Sequence, residues 1–202
     1  MEINNQLSTK EKIVNFGIQL IKEKGYKKTS VDDICKITNI SKTTFYYHFK
    51  SKVDLISHFF IRINQTMNQH MSEIMSASDF VNQLWICNKI YLDYLEKLGP
   101  DITKELYIAN LRKDAKILAP DDIYLKSVML VLIEKGQKSG QIQNRTDPWI
   151  LFQALLTLTN GAVYVWAMKN GDYNLNDQAK KLYLALINSV EKIQSGSIPN
   201  SV

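Results

Sequence analysis

The sequence predicts an all-α protein, a small N-terminal three-helix domain followed by a larger helical bundle, with about nine helices in all. Three observations carry this. Apolar residues recur at three- and four-residue intervals through most of the 202 residues, which is the spacing of one face of a helix. Serine followed three residues later by an acid, the signature of a capped helix start, occurs at Ser8/Glu11, Ser30/Asp33 and Ser51/Asp54. Only four prolines and eight glycines interrupt the pattern, and alternating strand-like runs are nearly absent.

Each element follows from local residues. Ile13, Phe16, Gly17, Leu20 and Ile21 share one face, so a first helix opens after Ser8 and stops at Gly25. A second opens after Ser30 and runs through Ile37, turning Val31, Ile34 and Cys35 inward. Thr38-Asn39-Ile40-Ser41 then forms a tight turn, because Asn39 tolerates a left-handed backbone. Ser41 caps a third helix that runs to about Phe49, and Ser51 caps a fourth. Breaks at Ser76-Ala77-Ser78, Gly99-Pro100, Pro120, Gly140 and Gly171 divide the remainder into helices at about 52–74, 79–98, 101–114, 121–138, 147–169 and 174–194. Residues 6–66 are read as one domain and 67–202 as a second.

A hydrophobic fraction of 45% and a charged fraction of 22% are those of an ordinary globular protein. The first residues lack the apolar core of a secretory leader, and Cys35 and Cys87 fit neither a disulfide framework nor a zinc site. The cytoplasm is the expected compartment. Zinc-binding HExxH helices, phosphate-cradling glycine loops, nucleophile elbows and clustered carboxylates are absent, and His48, His58 and His70 do not stand at ligand spacing. The sequence therefore predicts neither an enzyme nor a cofactor. Net charge is +5, and residues 1–52 account for all of it, with ten lysines against five acids. A positive first quarter beside a neutral remainder fits contact with a polyanion, and it also fits a solvated lysine-rich surface.

The stretch NISKTTFYYHFKSK, residues 39–52, contains no acidic residue. Phe45 and Phe49 lie four apart on one face, with Ile40 entering from the turn, and these three are read as core. Lys42, Thr43, Thr44, Tyr46, Tyr47 and His48 occupy the other faces, which so short a helix cannot bury. Threonine methyls, aromatic tips and an imidazole with no carboxylate among them suit the major groove of double-stranded DNA. Lys52, in the first turn of the fourth helix, suits a backbone phosphate.

The run TSVDDICKITNISKTTFYYHFKSKVDL, with the helix before it, resembles the DNA-binding domain of TetR-family (tetracycline-repressor-type) transcriptional regulators. The similarity spans about residues 8–58 and rests on the serine-lysine start, the aromatic pair, the histidine-phenylalanine and the lysine before the fourth helix. It implies base or sugar-phosphate contacts from Lys42, Thr43, Thr44, Tyr47 and His48, and phosphate clamping by Thr29, Ser30, Tyr46 and Lys52. Asn39 stands where a turn glycine is usual and Thr43 where a small glycine is frequent; the second departure bears on which bases are read.

In the C-terminal part, 148–168 carries no charge and is long enough to cross a membrane. Gln153, Thr157, Thr159, Asn160 and Gly161, with an amphipathic helix adjoining, point instead to a helix covered by protein. In the final helix Ala179, Leu182, Tyr183, Leu186, Val190 and Ile193 form a stripe, and two such helices from each of two chains make a four-helix interface. The resemblance implies the same homodimer, with Leu182, Leu186 and Val190 at the interface. Two reading heads one turn apart, roughly 34 Å, then meet a palindromic operator. By the same resemblance Met67, His70, Met71, Met75, Trp85, Tyr91, Tyr94, Tyr107, Asn110, Phe152, Tyr164 and Trp166 fall where a small apolar or aromatic effector is enclosed, although such residues are also what an ordinary core is made of. The function expected is a dimeric repressor released by that effector. A DNA-binding dimer governed by protein partners is the alternative, and an all-α enzyme a more remote one.

Overall fold

The computed structural model describes residues 7–112 and 123–188, apart from the side chains of 59–69 and 123–125. Nine helices fill these residues: α1 (Thr9–Lys24), α2 (Val31–Thr38), α3 (Lys42–His48), α4 (Lys52–Ser76), α5 (Phe80–Leu98), α6 (Pro100–Leu111), α7 (Ile123–Ser139), α8 (Pro148–Met168) and α9 (Leu175–Ile187). The described residues contain no strand. Every predicted helix is present, and the ends differ mainly where the chain passes outside the described residues.

The helix starts follow the side chains that cap them. Ser8 and Glu11 close a capping box on α1, and Ser30 and Asp33 close another on α2, each serine accepting from the third amide while the acid receives the serine's own N–H. Ser41 accepts from Thr44 N–H at 3.0 Å and Ser51 from Asp54 N–H at 3.1 Å. Asn39 ends α2 at φ 54° and ψ 50°, its N–H reaching the carbonyls of Cys35 and Lys36. An asparagine thus does what a turn glycine would do, so this departure from the family pattern leaves the geometry intact.

The first three helices pack as a unit, α1 on α2 and α4, and α2 on α3. Gly17 sits where these meet; a Cβ there would stand 3.0 Å from Leu55 Cδ1 and 3.4 Å from Ile34 Cγ2. The division expected at 66/67 falls inside α4, which continues through it into the second part. There α5 is central, touched by α4, α6, α7, α8 and α9. α8 is long and apolar enough to cross a membrane by length and composition, but it packs against α6, α7 and α9 and buries Leu151, Leu155, Val163 and Trp166.

The segment after α7 folds back to close α9. Gln143 and Asn144 N–H both donate to Ile187 O, and the Asn144 amide donates to Leu186 O at 3.1 Å. Gly136 permits the return: a Cβ there would lie 2.5 Å from Ile142 Cδ1. A polar seam runs along α8 where it meets α5 and α6. Thr159 Oγ1 donates to Asn88 Oδ1 at 3.2 Å, and the Tyr107 hydroxyl donates to Asn160 O at 2.8 Å. Burial raises the pKa of both Tyr91 and Tyr107, so these hydroxyls stay protonated.

Candidate nucleic-acid interface

α3 divides by face as its spacing predicts. Phe45 and Phe49 are buried, their ring centroids 5.9 Å apart, with Ile40 packed beside them. Lys42, Thr43, Tyr46 and Tyr47 are exposed on the other side. Tyr47 is 85% exposed, held only edge-on against the half-buried His48 at 5.0 Å. A ring left so far in water adds little to the fold, and its surface is free for a partner. Thr44 is half-buried and belongs to the helix cap, its N–H on Ser41 Oγ and its hydroxyl 2.9 Å from the same atom. Thr43, Tyr46, Tyr47 and Lys42 are therefore the outward set.

Two of the expected phosphate clamps are used inside the protein. Thr29 is 1% exposed, and its hydroxyl donates to Gly25 O at 2.9 Å, fastening the α1–α2 loop. Lys52 reaches back from α4 to the same loop: its ammonium donates to Tyr26 O at 2.7 Å and Thr29 O at 2.5 Å and lies 4.2 Å from the Tyr26 ring centroid. Burial pushes its pKa down, as expected of a cation partly withdrawn from water. Ser30 is exposed, but its hydroxyl is engaged in the α2 capping box. Lys52 is thus a tie between α4 and the loop. Lys52→Met is expected to lower stability by about 1–3 kcal/mol, the cost of removing the Lys52 donor from Thr29 O and leaving Tyr26 O only the 3.4 Å bond from Thr29 N–H, while leaving the salt dependence of DNA binding unchanged; urea titration and binding at several salt concentrations check this.

Sequence reasoning also missed a partner on this face. Asp32, in the first turn of α2, stands 2.7 Å from the Lys42 ammonium. The hydrogen bond to Asp32 and then its charge raise the Lys42 pKa. Asp32 and Lys42 are ten residues apart on different helices, so no spacing rule links them.

Among the described residues, those expected around an effector fall into separate groups. Trp85 packs on Tyr183, centroids 5.4 Å apart, and Phe152 stacks on Trp149 at 5.5 Å. Tyr91 and Tyr107 meet at Asn160, with Tyr164 leaning on Tyr107 at 6.0 Å. Trp166 is core, and its indole donates to Tyr173 O at 3.1 Å. Met71 and Asn110 are half-buried, and Met75 is exposed. His70 and Tyr94 line a cleft of about 90 Å³ with Glu73, Ile86, Lys89 and Asp93, which is smaller and more charged than an ordinary site for an apolar ligand. The Met67 side chain lies outside the described residues.

The stripe read on α9 divides between the chain's own core and its surface. Ala179 and Tyr183 are buried in the chain's own core with Leu175 and Ile187, and Leu186 packs partly against that core. Leu182 faces outward at 38% exposure, and Val190 lies outside the described residues. The larger uncovered surface is on α8, where Ile150, Gln153, Thr157, Gly161, Tyr164, Val165 and Met168 are all exposed along one side. The charge-free run 148–168 was the signal for it.

Comparison with known proteins agrees with this architecture. A family model described as bacterial regulatory proteins, tetR family, matches residues 13–59. The biofilm operon icaADBC HTH-type negative transcriptional regulator IcaR of Staphylococcus aureus (strain Newman) is 54% identical over 43 residues, 21% of this chain and 23% of that protein. This chain therefore matches less than a quarter of that relative's length. The fatty acid metabolism regulator protein of Bacillus subtilis (strain 168) is 27% identical over 192 residues, 93% of this chain and 94% of its own. Among solved structures, the transcriptional regulator FadR from Bacillus subtilis in complex with stearoyl-CoA superposes with a TM-score of 0.60 at 18% identity, covering 89% of this chain and 98% of that one; this likeness shows a shared fold. The family model lies across α1 to α4, on the residues that build the outward face of α3.

Proposed function

We propose that the protein is a dimeric, sequence-specific DNA-binding repressor of transcription, released from a palindromic operator by a small apolar effector. Residues 6–66 act as the DNA-binding part and 67–202 as the regulatory and dimerising part. It acts in the cytoplasm by binding and not by catalysis. The observation that carries this reading is the outward face of α3, where Thr43, Tyr46 and Tyr47 stand exposed over a buried Phe45 and Phe49. A helix so backed, joined to α2 by a tight turn, is the reading element of a helix-turn-helix. Support for repression comes from the relative named a negative transcriptional regulator. Support for an apolar effector comes from the relative named for fatty acid metabolism and from the structure solved with stearoyl-CoA.

Selection of bound sequences from random duplex DNA tests this. The expected product is an inverted repeat with half-sites one helical turn apart, bound in a strongly salt-dependent way. Tyr47→Ala is expected to relax preference at particular base pairs, at a cost of about 1–3 kcal/mol of discrimination. Enrichment of no sequence would overturn the proposal.

The separation of the expected effector residues into several groups, among the described residues, supports a second reading, in which a protein partner releases the dimer from DNA. Titration of the protein–operator complex with long-chain acyl-CoA separates the two: release supports the small-molecule reading, and its absence across acyl chain lengths and free fatty acids supports the partner.

A further inference from the structure

Between Tyr26 and Lys52 the chain carries two carboxylates among six lysines. Asp33 is consumed locally: it closes the capping box with Ser30 and lies 3.8 Å from Lys24 of α1, away from α3. Asp32 is not needed for the cap. It points instead across the α2–α3 angle to Lys42 Nζ at 2.7 Å, with side chains 50% and 63% exposed. An exposed pair of this kind contributes little to folding. It does, however, place a negative charge on the side of the molecule that, on the reading above, meets a polyanion.

We infer, on the reading that α3 enters the major groove, that Asp32 is a specificity-determining residue: it positions Lys42 toward base edges and withholds it from DNA phosphate. Binding to non-cognate duplex is almost entirely cation–phosphate attraction with counterion release. A lysine already neutralised by a carboxylate contributes little to that term, because moving to a phosphate leaves the carboxylate uncompensated beside the backbone. On the cognate sequence the pair is retained, and the held ammonium donates to an acceptor such as guanine O6 or N7. Asp32 thus lowers non-cognate affinity more than cognate affinity, and the ratio of the two is what selects an operator among many competing sites.

The experiment compares wild-type protein with Asp32→Asn and Asp32→Glu on the selected operator and on a scrambled duplex of equal length, over a range of salt. Asp32→Asn frees Lys42, so binding to scrambled duplex is expected to tighten about threefold to tenfold and its salt slope to steepen by about 0.9. Operator affinity is expected to change less, so that the specificity ratio falls. Asp32→Glu is expected to restore the wild-type slope. Adding Lys42→Met should flatten the slope in the Asp32→Asn background and barely alter it in wild type. Thermal melting of each variant separates loss of fold from loss of selectivity, and Lys42→Met in the wild-type background carries the test if Asn unfolds the head, since a slope on scrambled duplex flattened by about 0.9 would sink the inference. A folded Asp32→Asn protein with wild-type slope and ratio would sink this inference alone; a wild-type protein without sequence-selective binding would sink the reading it rests on.

Discussion

Replacing Phe45 with alanine is expected to remove about 3–5 kcal/mol of folding stability and to abolish operator binding, although the ring is fully buried and cannot touch a ligand. The reasoning is mechanical. α3 has only seven residues, too few to hold a helix on propensity alone. Its position is set by the Ser41 cap at one end and by Phe45 and Phe49 behind it, with Phe45 edge-on to Tyr46 at 5.5 Å. Without the ring the cavity lies beneath the outward face itself, and Tyr46 loses the surface it leans on. A loss of that size is a large part of what a domain possesses. The control is Tyr47→Ala, where an 85% exposed ring is removed and stability should move by less than about 0.5 kcal/mol. Urea midpoints beside operator titration read both. A Phe45→Ala protein that melts like wild type and still binds would show that α3 is not held from behind.

What the sequence disclosed and what it hid divide by the distance between partners. Ser8 with Glu11, Ser30 with Asp33, Ser41 with Thr44 and Ser51 with Asp54 are contacts three residues apart, so the helix starts could be read directly. Asn39 announced its left-handed turn and Phe45 with Phe49 announced a buried face for the same reason. The internal bonds of Lys52 and Thr29 were not legible because, for Lys52, the partners are tertiary and, for Thr29, the partner lies across a loop. Lys52 finds carbonyls 26 and 23 residues back, and a lysine beside free helix amides gives no sign of that. In α9 the apolar period was correct, but a period tells only that a stripe is covered. Ala179, Tyr183 and Ile187 are covered by the chain itself. The effector set meets the same ambiguity, since an aromatic such as Trp85 that packs on Tyr183 across 98 residues has the same local pattern as one lining a cavity.

In the proposed dimer, a charged residue at Val165 is expected to separate the two reading heads. α8 turns Ile150, Gln153, Thr157, Gly161, Tyr164, Val165 and Met168 outward, a strip without a single charge, with Tyr164 at 51% and Met168 at 61% exposure. Gly161 has nothing within 4 Å of where its Cβ would be, which lets a second backbone approach closely. Leu182 extends the strip onto the neighbouring α9. In the proposed dimer a two-fold axis would set this uncharged strip against its own copy. Glutamate at Val165 brings two carboxylates toward that axis and leaves both desolvated. Loss of the dimer converts one bivalent event into two independent ones, so operator affinity should fall by about a hundredfold to ten-thousandfold while affinity for an isolated half-site is kept. Leu186 is a poorer place for the test, since it rests partly on its own core and a charge there would also damage the fold. Sedimentation and operator titration of Val165→Glu decide the matter together. A variant that remains dimeric and binds the full site normally would move the interface elsewhere, and one that is monomeric yet binds as tightly as wild type would show that the two heads do not act as a pair.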